Sequence, residues 1–140
     1  MLRVELKTML HRHPFLPAWF CAGLLFVGYS LPNQEIEKLQ RGKVLFSDTF
    51  SDIVLHVLVF MFFTLVLGLC YIVSTKGSAV VFFVLIPAFA YGVIMELWQA
   101  VLPYRAYRLD DLVYNTAGVF GGFIIFLMIK SRLRSTKESH

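Results

Sequence analysis

The sequence predicts an all-α protein, a polytopic membrane bundle of about four transmembrane helices, on three observations. Apolar residues fill 58% of the 140 positions while charged residues fill only 16%, well below the roughly 25% of a soluble domain. The apolar residues gather into long runs, each of a length suited to a hydrocarbon core roughly 30 Å thick at about 1.5 Å rise per residue. The basic residues stand beside those runs. A soluble core has no sequence left from which to form, so residues 1–140 read as a single membrane domain without internal repeat, low-complexity tract or domain boundary.

The first run extends from about Phe15 to Leu31, after Arg3, Lys7 and Arg12, and closes at Pro32 and Asn33. It is long for a signal h-region and is read as a span. The second runs from about Ile53 to Ser74. Lys76, Gly77 and Ser78 separate it from the third, about Ala79 to Leu102, in which Pro87 predicts a bend. The fourth covers about Leu112 to Ile129 and is followed by Lys130, Arg132, Arg134 and Lys137. Between the first two spans, Ile36 and Leu39 among Glu35, Glu37, Lys38 and Arg41 suit a short interfacial helix ended by Gly42, within the link Asn33 to Ser51.

Charge sets the expected orientation. With both termini cytoplasmic, the inner side carries eight Lys and Arg residues: the N-terminal cluster, Lys76 and the C-terminal cluster. The outer side carries five: Lys38, Arg41, Lys43, Arg105 and Arg108. The positive-inside rule favours that arrangement, in the cytoplasmic (inner) membrane. The net charge of +4 is thereby assigned to topology and lipid headgroups, not to nucleic acid. Cys21 and Cys70 lie inside apolar runs, without the spacing of a metal knuckle or the density of a disulfide scaffold, and read as packing residues. His11 and His13 read as surface residues of the N-terminal tail. Trp98, Tyr104 and Tyr107 fit an interfacial aromatic belt, and Gly118, Gly121 and Gly122 suit close helix packing.

An ionisable group at the centre of a membrane helix costs roughly 2.5–3.5 kcal/mol on insertion scales, so each one calls for a reason. The second span opens with Asp52 and His56, four apart and on one helix face. The third carries Glu96 and Gln99 near its end. The fourth opens with Asp110 and Asp111, then Asn115 and Gly118 on the same face. Antiparallel spans put all of these at one membrane face, the outer one. Taken singly, Asp52, Asp110 and Asp111 suit helix starts, and His56 and Asn115 suit interhelical hydrogen bonding. Glu96 fits neither role. The shared end therefore predicts one outward-facing polar pocket with Arg105 and Arg108 above it, and hydrogen bonds among His56, Glu96 and Asp111, direct or through one water or metal.

These motifs, Asp-x-x-x-His (Asp52, His56), Glu-x-x-Gln (Glu96, Gln99), Pro-x-Arg (Pro103, Arg105) and Asp-x-x-x-Asn-x-x-Gly (Asp111, Asn115, Gly118), resemble the VanZ-like family of integral membrane proteins over about Asp52 to Gly122. Two positions depart from it. Family members often have Lys where Ile53 stands and Gly where Tyr104 stands, which leaves one cation fewer near the pocket. The resemblance implies a membrane protein of four or so helices, and its name-giving branch is associated with resistance to glycopeptide antibiotics such as teicoplanin. No agreed reaction comes with it.

The leading expectation is binding or processing of an anionic lipid-linked cell-envelope substrate, for example a polyprenyl phosphate. In that reading Asp52 orients His56 as acid, base or nucleophile, and Glu96 and Asp111 serve as base or hold a divalent metal. Arg105, Gln99 and Asn115 bind the substrate, Arg105 by paired hydrogen bonds to phosphate. The set lacks a familiar metal-ligand spacing, so the sequence names no cofactor. A proton or ion relay and a non-catalytic subunit of a membrane complex are the alternatives.

Overall fold

The computed structural model describes residues 12–32, 48–74, 79–105 and 108–138. They form helices α1 (Leu16–Ser30), α2 (Asp48–Ser74), α3 (Ile86–Val101, preceded by a π-helical turn, Val81–Leu85) and α4 (Leu109–Glu138). Three apolar stretches are long enough to cross a membrane: Ile53–Ser74, Val81–Val101 and Leu109–Leu133. The chain is therefore a helical membrane bundle, as its composition predicts. The expected interfacial helix lies outside the described residues.

Helix ends follow local chemistry. Pro17 stands in the first turn of α1, where its missing N–H is no loss, and Pro32 follows the extended residue Leu31 at the other end. At 15 residues, about 22 Å, α1 is the shortest of the four. Before Pro87, where a bend is expected, stands the π-helical turn. Proline offers no N–H and its ring would press on the carbonyl four residues back, so the helix widens: the Ile86 N–H bonds to the Val81 carbonyl, five residues back. Asp110 and Asp111 occupy the first turn of α4, where free N–H groups favour negative charge. Its helix continues nine residues past the expected end at Ile129, because Lys, Arg and Glu are good helix formers outside the apolar run as well as within it.

Each helix turns a buried stripe inward at helical spacing. On α1 it is Ala18, with Ala22, Leu25 and Tyr29 partly buried beside it; on α2, Phe60, Phe63, Leu67 and Tyr71; on α3, Ala88, Gly92, Met95, Glu96 and Gln99; on α4, Asp111, Asn115, Val119, Phe123 and Phe126. The opposite faces are also apolar, as with Leu55, Leu58, Phe62, Leu69 and Val73 on α2, and Leu16, Phe20, Leu24 and Val27 on α1. Such helices have hydrophobic residues all round, which suits lipid outside and protein inside.

Helices α2 and α4 are the closest pair, and glycine makes the approach possible. A Cβ on Gly118 would fall against the Val57 carbonyl oxygen, and one on Gly122 against the Met61 carbonyl oxygen. These glycines stand four apart on one face, the small-x-x-x-small arrangement that lets membrane helices touch backbone to backbone. Gly121 turns elsewhere, with only the Met61 side chain nearby. Aromatic rings fill the space between α2 and α3: Phe60, Phe63 and Tyr91 meet with centroids 5.1–6.5 Å apart. The Tyr91 hydroxyl then reaches across to donate to the Ala22 carbonyl of α1.

Candidate functional site

The apolar stripes all end in polar residues at the same end of the bundle. Here the C-terminal ends of α1 and α3 meet the N-terminal ends of α2 and α4, and four side chains form one network. The His56 Nδ1 lies 2.9 Å from the Asn115 Oδ1 and 3.0 Å from the Tyr29 hydroxyl. The Tyr29 hydroxyl donates to the same Asn115 Oδ1 at 3.0 Å. From the other end of its amide, Asn115 Nδ2 donates to Glu96 Oε1 at 2.8 Å. One residue from each helix thus takes part.

Asn115 and Glu96 are each only 1% exposed. The second oxygen of the carboxyl group, Glu96 Oε2, is buried with no hydrogen-bond partner among the described residues. An unsatisfied buried polar group costs about 1–3 kcal/mol, and more when charged. Asp111, buried one turn before Asn115, and Arg105 and Arg108 lie near enough for their charges to act on Glu96. Arg108 Nε stands 4.0 Å from Asp111 Oδ1.

A second set of bonds fastens the end of α1, whose last carbonyls lack helical partners. Gln99 Nε2 donates to the Tyr29 carbonyl at 3.4 Å, Tyr104 to the Ser30 carbonyl at 3.0 Å, and Arg105 Nε to the Leu31 carbonyl at 2.9 Å. Trp98 Nε1 donates to the Ser30 hydroxyl at 2.9 Å and its ring lies 5.1 Å from that of Phe26. Tyr104, one of the two departures from the motif pattern, is thus a cap for α1.

The matching family model decides the relationship: VanZ/LLP1 matches residues 13–130. The chain belongs to the VanZ/LLP1 family. The match reaches all four helices and extends well beyond the stretch that carries the motifs. No curated protein and no solved structure matches the chain.

Among the residues expected to carry function in this VanZ/LLP1 protein, His56, Glu96 and Asn115 are brought into one network. Asp111 lies at the same end, but among the described residues no hydrogen bond joins it to His56 or Glu96; its neighbour is Arg108. The His56 and Glu96 side chains meet through Asn115 and not directly. Gln99 and Arg105, expected at a substrate, donate to the carbonyls of Tyr29 in α1 and of Leu31 just after it. Asp52 is in α2 one turn before His56, with its side chain outside the described residues. Among the described residues no group of three His, Cys, Asp or Glu side chains is placed to share a metal ion.

Tyr29 carries no plain functional signal in the sequence. It belongs to the first span, which has no ionisable residue of the kind that marked the others, and tyrosine near a span end reads as an interfacial anchor. Its signal was position: Tyr29 stands three residues before Pro32, at the depth His56 has in α2.

Proposed function

We propose that this VanZ/LLP1 protein binds or processes an anionic lipid-linked cell-envelope substrate at the outer face of the cytoplasmic membrane. The observation that carries the reading is the Tyr29–His56–Asn115–Glu96 network ending on an unpartnered, buried carboxyl oxygen. All four helices contribute to it, which is costly for helix packing alone and useful for holding an imidazole and a carboxyl group in fixed register. Arg105 and Arg108 supply positive charge at the same end for a phosphate or diphosphate headgroup. His56 and Glu96 are the acid–base pair, Asp111 and Arg108 flank them, and a polyprenyl phosphate is the representative substrate.

The test is a pair of measurements on purified protein. Native mass spectrometry is expected to find a phosphate-bearing polyprenyl lipid retained by the protein. Vesicles carrying that lipid are expected to show phosphate release or headgroup transfer. Neither retention nor turnover would leave a non-catalytic subunit, and proton flux without turnover would replace the reading with an ion relay. In cells, the same chemistry is expected to alter susceptibility to glycopeptides such as teicoplanin.

The orientation is tested separately. In a background with Cys21→Ala and Cys70→Ala, the Arg105→Cys chain is expected to react with an impermeant thiol reagent added outside the cell. Labelling from the cytoplasmic side alone would invert the topology and place the site at the inner leaflet.

A further inference from the structure

Asn115 stands between the two groups that can move a proton, and both ends of its amide are engaged by protein atoms. We infer that Asn115 is a positioning residue that fixes the proton-active atoms of its neighbours: Nε2 of His56 and Oε2 of Glu96.

The inference follows from counting donors and acceptors. The Asn115 Oδ1 is an acceptor with two lone pairs, and it has two close neighbours, His56 Nδ1 at 2.9 Å and the Tyr29 hydroxyl at 3.0 Å. The Tyr29 hydroxyl brings its own hydrogen, and the His56 contact is favourable only when Nδ1 carries one too. A neutral His56 then holds its lone pair on Nε2. On the other side, Glu96 Oε1 accepts the Asn115 amide N–H at 2.8 Å, so any proton on the carboxyl group belongs on Oε2, the buried oxygen without a partner among the described residues.

The opposite setting of the amide satisfies fewer groups. Turned over, Asn115 would present NH₂ to both His56 Nδ1 and the Tyr29 hydroxyl, and its oxygen to Glu96. The amide and the Tyr29 hydroxyl would then compete for the single lone pair of Nδ1, and Tyr29 would lose Asn115 Oδ1 as its acceptor. Glu96 would also have to carry its proton on Oε1. The observed setting leaves none of the three groups in conflict. Tyr29 fills the second lone pair of Oδ1 and holds the amide in place, but His56 takes its tautomer from Asn115.

The assignment rests on the reading of this end of the bundle as an acid–base site, yet the tautomer belongs to the resting protein and needs no substrate. His11, His13 and His140 are the other histidines. With His11→Gln, His13→Gln and His140→Gln, ¹⁵N-histidine labelling reports on His56 alone. Solid-state NMR of this protein in lipid vesicles, in mildly alkaline buffer, is expected to show Nδ1 protonated and Nε2 bare. Tyr29→Phe is expected to leave that pattern unchanged, and Asn115→Leu to shift the population toward Nε2–H. A proton on Nε2 with Asn115 intact overturns the inference, as does a tautomer that follows Tyr29→Phe. The Asn115-intact spectrum decides even where Asn115→Leu does not fold. Nδ1–H in a protein without lipid turnover upholds the assignment and refutes the proposed function; turnover with Nε2–H does the reverse.

Discussion

Glu96→Gln and His56→Ala are each expected to lower lipid turnover by about 10²-fold or more, the scale of lost general acid–base catalysis, with little loss of folded protein in the membrane. The network explains why the fold survives. Gln in place of Glu96 keeps the shape, and its carbonyl still accepts the Asn115 amide; only Oε2 is exchanged for a group that cannot take or release a proton. His56→Ala removes one of two donors from Asn115 Oδ1, which keeps Tyr29. Turnover is measured beside expression level and melting in detergent. Collapse of both variants would assign the pair to structure and count against the site.

The second large effect concerns the α2–α4 contact. Gly118→Ala and Gly122→Ala are each expected to destabilise the bundle by roughly 1–3 kcal/mol, the range for overpacking, because the new methyl group meets a carbonyl oxygen of α2 that cannot swing aside. Gly121→Ala is the internal comparison. Its Cβ would meet only the flexible Met61 side chain at 3.7 Å, and alanine is the better helix former by about 1 kcal/mol. It is expected to be neutral or stabilising. Equal losses at all three positions in detergent melting would mean that backbone contact does not set the α2–α4 spacing.

What the sequence revealed depended on contrast. Glu96 in an apolar run is conspicuous, and antiparallel spans allow its end of the bundle to be matched with those of His56 and Asn115. The three apolar stretches follow from length and composition, with only their ends shifted. Roles were harder to read than places. The amide of Asn115 suits either a substrate or a neighbouring helix, and its distances place protein neighbours at both ends. Gln99 and Arg105 also donate to carbonyls at the end of α1, a demand visible only once α1 is set beside α3. The widening before Pro87 was legible as an irregularity, since proline forces one, but its form depends on how the preceding turn is packed.

The network joins residues far apart in the chain: 27 positions separate Tyr29 from His56, and 86 separate Tyr29 from Asn115. A nascent chain inserted from its N-terminus brings Tyr29 and His56 into the bilayer before the acceptor they share exists. Glu96 arrives third, still lacking its amide partner. Only entry of α4 converts these groups from isolated polar burdens into a connected set, so a product truncated before Asn115 lacks the network and has less reason to stay packed. Assembly of the network in this way waits on α4.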